Sequence, residues 1–352
     1  MDEKDANDLL IEITKGMESI PFISYAAVVE NPLHKNYYFI EYGLFEKYRI
    51  FQYEHSKKWS IRNKENSGLY TFLKNSNLSD LESDLYDQKP VINLSEMFKK
   101  ETSYITFPSS GVETLHKEKS KNDKEERIIT GGISIGNLNI DDKGGTLGAL
   151  FYLQKNDKLY AITNSHVVAN GDSKINEEIH FPSLIHDLPK LRHHKIGELK
   201  KWFHNSKMDV AIVEITNEKK YPLQSGDRIC KTPFKGLNTP KKNSLVYKVG
   251  YNGKSCGHIR SLNASFRIDS SYNGERKPII MTNQIMIENI DVGKGDSGSV
   301  ITNENREVVG VLFARDKEAK RSFFTPINGI FVNEGGNDIN KNPPYNFHEF
   351  LQ

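Results

Sequence analysis

The sequence predicts a mainly β protein preceded by a small α+β domain, and three observations carry that prediction. From Ile128 onward the chain breaks into many short runs of β-branched and aromatic residues, separated by turn residues, with no long helical period between them. Ahead of these lie one amphipathic helical stretch and a few strand-like runs. A charged stretch, Lys117 to Arg127, divides the two. A chain of 352 residues has room for two domains, and 37% hydrophobic with 27% charged residues is ordinary soluble globular composition.

In chain order, Leu9, Leu10, Ile13 and Met17 recur at spacings of three and four, which puts them on one face of a helix from Asp5 to Met17. After Pro21, the runs Phe22 to Glu30, Tyr37 to Tyr42 and Tyr48 to Tyr53 suit a small antiparallel sheet, and Leu78, Leu81 and Leu85 mark a short helix. Residues 1–116 are therefore expected to form a separate α+β domain. It holds no catalytic constellation, and its expected partner is a regulator or a second protein. Residues 117–127 are all polar and bury nothing, so they are expected to be an exposed linker. Residues 128–352 form the larger domain. Its strand-like runs include Thr146 to Leu153, Leu159 to Thr163, Lys195 to Phe203, Val210 to Ile215, Leu245 to Val249, Gly257 to Ile259, Gln284 to Glu288, Val308 to Ala314 and Ser322 to Ile327. Many short strands point to a barrel or a sandwich. Pro343 to Leu351 reads as a closing short helix packed by Phe347 and Leu351.

Charge and composition exclude several classes of function. A net charge of +2 exerts no general pull on nucleic acid or anionic lipid. The start Met1 to Ala6 is polar and acidic overall, without the basic character and apolar run of a secretory signal, and the chain holds only two cysteines, Cys230 and Cys256. Both features point to the cytoplasm, with no membrane partner, and the two thiols are expected to be unpaired and buried. Gly131-Gly132 and Gly144-Gly145 precede no helix, so they are turns at strand edges and not a phosphate loop. His180, His186, His193 and His194 match no zinc-ligand spacing and read as a surface loop. No cofactor and no metal is expected.

The chemistry centres on Gly295-Asp296-Ser297-Gly298-Ser299. A serine held between glycines has an exposed hydroxyl and neighbouring backbone N–H groups that can face a developing oxyanion. Alone, the same composition also makes an ordinary turn. Two further stretches bear on it. Tyr160 to Val168 is a strand running into Thr163-Asn164-Ser165-His166, which offers His166 as a base. Met208 to Ile215 sets Asp209 at the mouth of another buried strand, where it can hold the second imidazole nitrogen.

With the order His166, Asp209, Ser297 in these local sequences, the chain from about Ile128 to its C-terminus resembles the chymotrypsin/trypsin-like serine protease family, in its disulfide-poor bacterial or intracellular form. Gly145 to Leu150, Val309 to Phe313 and Phe324 to Ile327 carry the resemblance further. It implies two packed antiparallel β-barrels with the triad between them, and a serine endopeptidase acting on a protein or peptide substrate. Gly295 and Ser297 would supply the oxyanion-hole N–H groups. The alternative is a catalytically silent, protease-like module that binds peptides in the same cleft. The resemblance also puts Asp291, six residues before the serine, at the base of the specificity pocket, implying a preference for Arg or Lys before the cut. Arg315 falls where a pocket-entrance glycine is usual and could neutralise Asp291. Finally, Arg127-Ile128 resembles an activation site, where cleavage would free an ammonium at Ile128 to pair with Asp296. The other expectation for this segment is an uncleaved inter-domain strand.

Overall fold

The computed structural model describes residues 1–17, 23–31, 35–45, 48–52, 59–63, 91–92, 104–109, 113–114, 128–140, 144–153, 158–183, 193–217, 220–272, 275–330 and 345–346. Helix α1 (Glu3–Gly16) precedes β1 (Ile23–Glu30), β2 (Tyr38–Phe45), β3 (Tyr48–Gln52), β4 (Trp59–Asn63), β5 (Val91–Ile92), β6 (Tyr104–Ser109) and β7 (Glu113–Thr114). Then come β8 (Ile129–Gly131), β9 (Ser134–Asn137), β10 (Gly145–Thr146), β11 (Ala149–Leu153), β12 (Lys158–Thr163), the short helix α2 (Ser165–Val168), β13 (Glu178–Phe181), β14 (His194–His204) and β15 (Asp209–Ile215). The remainder is β16 (Leu223–Asp227), β17 (Leu245–Gly250), β18 (Gly253–Tyr272), β19 (Glu275–Glu288), β20 (Val300–Asn303), β21 (Val308–Asp316), β22 (Arg321–Pro326), the short helix α3 (Ile327–Ile330) and β23 (Tyr345–Asn346).

The expected mainly β architecture is present. One sheet orders its strands β10-β9-β13-β14-β15-β12-β11-β23, and a second runs β17-β20-β21-β22-β19-β18-β1-β2-β6 with β7 added on β21. Each barrel-like sheet has its own apolar core. Ile135, Leu150, Ile179, Leu199 and Val213 lie in the first, and Ile259, Ile287, Ile301, Leu312 and Phe324 in the second. A third cluster, with Phe151, Ile162 and Val210 from the first sheet and Val300, Val308 and Val311 from the second, cements the two together. The cleft along this seam is where side chains from both sheets meet.

The N-terminal strands depart from the expected separate domain. β18 is a 20-residue strand and β19 a 14-residue one, so their hairpin extends well past the runs Gly257 to Ile259 and Gln284 to Glu288 read from the sequence. The overhang offers an edge, and β1 pairs with it antiparallel, Tyr25 opposite Phe266 and Ala27 opposite Ala264. Tyr25, Ala27, Val29 and Phe39 then share one buried core with Phe266, Phe313 and Phe323. The Phe266 and Phe323 rings lie 4.4 Å apart, centroid to centroid. Helix α1 is N-capped by Asp2, whose carboxylate accepts from the Asp5 N–H at 2.8 Å. Its buried Leu9, Leu10 and Ile13 face the sheet, and the Thr14 hydroxyl donates to Ser265 Oγ of β18 at 2.8 Å.

A buried ion cluster ties this addition to the second barrel. Glu41 of β2 is fully buried and accepts from the Tyr25 hydroxyl at 3.1 Å and from Arg321 Nε of β22 at 2.7 Å. Burial, reinforced by the Glu41 charge, pushes the Tyr25 phenol well above its usual range. A buried carboxylate is tolerated only when such partners compensate its lost hydration.

Other expectations fare differently. Tyr345–Asn346 forms strand β23 against β11 where a helix was expected, because Leu153 and Tyr152 leave an edge that accepts it. Phe347 and Leu351, the Leu78 to Leu85 helix and the 117–127 linker lie outside the described residues. The two cysteines are unpaired, but Cys256 is exposed and Cys230 half-buried; alternation along β18 turns Gly257 and Ile259 inward and Cys256 out. His180 is buried, not on a surface loop. Among the described residues no helix is long and apolar enough to cross a membrane.

Candidate active site

The register of the first sheet brings His166 to Asp209. β12 pairs with β15 so that Ile162 lies opposite Ile212 and Thr163 opposite Ala211, which sets the end of one strand beside the start of the other. The chain turns at Asn164, whose side-chain amide donates to the Asp209 carbonyl at 2.6 Å, and enters α2 with His166 as its second residue. His166 Nδ1 hydrogen-bonds Asp209 Oδ2, and the His166 backbone N–H donates to Asp209 Oδ1 at 3.1 Å. Because a carboxylate only accepts, Nδ1 carries the proton and Nε2 presents its lone pair. That lone pair faces Ser297 Oγ at 2.7 Å. The serine arrives from the second sheet, on the turn that enters β20, and its hydroxyl also lies 3.2 Å from the Phe313 carbonyl of β21.

Asp209 and Ser297 are fully buried, and His166 is 9% exposed. Burial alone would raise the Asp209 carboxyl, but the His166 ring and, secondarily, the His204 ring outweigh it and hold Asp209 well below the usual carboxylate range. The Ser165 hydroxyl adds a hydrogen bond to Asp209 Oδ1 at 2.5 Å. A depressed folded-state pKa stabilises the fold fully above the unfolded value, and that contribution is lost as pH falls through the folded value. The stability advantage of the wild type over Asp209→Asn should therefore persist from neutral pH down to about 4, where an ordinary Asp titrates, and shrink only below it. Urea unfolding of both proteins across pH 3 to 7 checks this; an advantage already gone at pH 6 contradicts the assigned direction.

The loop before the serine is organised by Asp296. Its fully buried carboxylate takes the Lys248 ammonium of β17 at 2.5 Å, the Asn252 N–H at 3.0 Å and the Gly293 N–H at 2.9 Å. Lys248 is itself 2% exposed. Gly250 makes room for this, since a Cβ there would lie 2.4 Å from Asp296 Oδ1. Gly295 has φ of 100°, a conformation that excludes most side chains. The carbonyls on either side of its N–H and Cα are pinned: Lys294 O accepts from Asn252 Nδ2 at 2.9 Å and Gly295 O from the Thr146 hydroxyl at 2.6 Å. In a trans peptide the Gly295 N–H points opposite the Lys294 carbonyl, hence away from Asn252.

Asp291 is exposed to solvent, not sunk at a pocket base. Its neighbours Ile290 and Val292 are buried in the second core, so the Asp291 side chain turns outward between them, and its backbone carbonyl accepts from the Ser255 hydroxyl at 2.5 Å. Arg315 of β21 donates from Nη1 to the Val292 carbonyl, so its guanidinium bridges the two segments flanking Ser297. Ile128 is 42% exposed while Ile129 is buried in β8, its N–H donating to the Pro222 carbonyl at 2.9 Å. The carboxylate that an Ile128 ammonium would need already holds Lys248. Arg127 lies outside the described residues.

Ser165, His204, Lys248, Asn252 and Thr146 received no role from the sequence. Lys248 had a signal, being the single charge inside the apolar run Leu245 to Gly250. Asn252 and Thr146 had none, because they act on residues 42 and 149 positions away.

A two-barrel β fold with Ser, His and Asp hydrogen-bonded in series across its seam defines the class of trypsin-like serine protease folds. Residues 148–333, just over half of the 352-residue chain, match the Trypsin family model, and the chain belongs to that family. Among solved structures it is similar to Thermobifida fusca Protease A, at 18% identity over 58% of this chain and 94% of that one, with a TM-score of 0.42. It is also similar to Cellulomonas bogoriensis chymotrypsin, at 16% identity over 58% and 94% with a TM-score of 0.39. An alpha-lytic protease homolog, N4, matches at 12% identity over 63% and 100%, with a TM-score of 0.44.

Proposed function

We propose that the protein is a serine endopeptidase that cleaves peptide bonds through Ser297, His166 and Asp209. The observation that carries this reading is the continuous chain Asp209 Oδ2, His166 Nδ1, His166 Nε2, Ser297 Oγ, whose last link is 2.7 Å. As Ser297 Oγ attacks the scissile carbonyl, its proton passes to His166 Nε2, and Asp209 stabilises the resulting imidazolium. The same proton then goes to the leaving amine, and the acyl ester left on Ser297 is hydrolysed by a water that His166 deprotonates. The N–H groups of Gly295 and Ser297 receive the oxyanion, a contribution of about 3 to 4 kcal/mol per donor where such donors have been removed. The substrate is a protein or peptide, and no cofactor enters the cycle. A fluorophosphonate probe tests the reading, since it labels only an activated serine. Labelling of the wild type that vanishes in Ser297→Ala supports hydrolysis, and no labelling under any condition supports the silent peptide-binding module.

The preference for Arg or Lys loses its physical basis with Asp291 at the surface. β21 runs from Phe313, beside the nucleophile, to Arg315, and Val292 lies five residues before Ser297. A guanidinium bridging these segments repels a basic side chain and attracts a carboxylate. We therefore read the site as preferring acidic or neutral residues before the cut, by about tenfold over Lys and Arg, or ~1.4 kcal/mol. Peptide-library profiling of the wild type and Arg315→Gly checks it. Arg315→Gly should lose the acidic bias and gain basic substrates; an identical profile in both proteins removes Arg315 from specificity.

A further inference from the structure

The edge of β21 next to the nucleophile is already occupied by the chain's own strand β7. β22 covers one edge of β21, pairing Leu312 with Phe324, Ala314 with Phe323 and Arg315 with Ser322. β20 covers the other edge only as far as Val311, and the Ser297 turn continues it to Leu312, whose N–H donates to the Ser299 carbonyl at 2.9 Å. From Phe313 on, that second edge opens directly beside Ser297 Oγ. An extended peptide brought to this serine can gain backbone hydrogen bonds there by adding as a strand. In the structure, Glu113 lies opposite Arg315 and Thr114 opposite Ala314, antiparallel. Since β22 holds the far edge at these same residues, β7 lies on the open one, and its direction is from Arg315 toward the nucleophile.

We infer that Glu113–Thr114 acts as an internal competitor for the substrate edge, so that the resting protein holds its own chain where a peptide substrate must pair. This rests on the endopeptidase reading above. A two-residue pairing is weak by itself. It is tethered, however, between β6, which is built into the second sheet, and β8, which pairs with β16. Tethering raises the effective concentration of the segment to about the millimolar range, enough to outcompete a dilute peptide while remaining displaceable. The same tethering assigns the N-terminal region a function: its strands β1, β2 and β6 extend the catalytic sheet and deliver β7 to the site.

The test uses the full chain as wild type, the double variant Glu113→Pro with Thr114→Pro, which removes both N–H groups of the pairing segment, and the double variant Glu113→Gly with Thr114→Gly, which keeps both donors but weakens the strand. If the edge is open less than a tenth of the time, both variants should raise kcat/KM for a peptide amide extending four residues before the cut by about tenfold or more. The rate of labelling by a small fluorophosphonate, which needs no strand pairing, should not change. In a Ser297→Ala background, a fluorescent synthetic peptide of residues 108–116 should bind the two variants at least about tenfold more tightly than the parent. Binding is measured without turnover, so a chain that never labels overturns the endopeptidase reading while this measurement still decides the competitor. Equal kcat/KM and equal peptide affinity in all three chains overturn the inference.

Discussion

Ser297→Ala, His166→Ala and Asp209→Asn should each lower kcat/KM for a peptide amide by about four orders of magnitude or more, with the triple variant little worse than Ser297→Ala alone. The three groups form one hydrogen-bonded series, so removing any member disables the same proton transfer. Asp209→Asn has a specific defect. An amide that donates to Nδ1 forces the ring proton onto Nε2, where it can no longer accept from Ser297. The carboxamide also leaves the Ser165 hydroxyl and the His166 N–H facing a weaker acceptor, so some stability is lost as well. Steady-state kinetics with melting curves on the same samples separates the two effects. Losses under about tenfold in all three variants would falsify the assignment.

Lys248→Met should produce the second large effect, on both rate and stability. It strands the Asp296 carboxylate without its cation in a fully buried position, a change that costs about 3 to 5 kcal/mol in comparable buried pairs. Asp296 also gathers the Asn252 and Gly293 N–H groups, so the loop that aims the Gly295 N–H loses its centre. A fall in kcat of about a hundredfold is expected, the size seen when one oxyanion donor is removed. Adding Asp296→Asn to Lys248→Met removes the unpaired charge, so the double variant should regain much of the stability while remaining slow. Denaturant unfolding and single-turnover acylation read the two quantities independently. A Lys248→Met protein that is as stable and as fast as the wild type excludes the ion pair as a brace. The same pair has a consequence for activation: a cation fixed within the fold holds Asp296 without cleavage after Arg127, so Arg127→Gln should leave activity unchanged.

Much of the site was legible because it is written in local sequence. His166, Asp209 and Ser297 each sit where a strand begins or ends, and the turn chemistry of Asn164-Ser165 and Gly295-Asp296 shows within a few residues. The strands of both barrels could be read from runs of β-branched residues. Alternation and turn residues identify strands; they carry no information on which strand will be the neighbour. For that reason β18 and β19 read as short pieces, and the pairing of β1 with their overhang, which merges the N-terminal strands into the second sheet, left no trace in the pattern.

What the sequence determined by itself is the β class and the identity and order of the three candidate catalytic residues. Only the tertiary structure decided the rest. It put Lys248 on Asp296, sent Asp291 to the surface with Arg315 reaching across, and laid Glu113–Thr114 on the β21 edge. Each of these joins positions that are distant in the chain or turns on which way a side chain faces, and both depend on strand register and on which edges remain open once the apolar cores have packed.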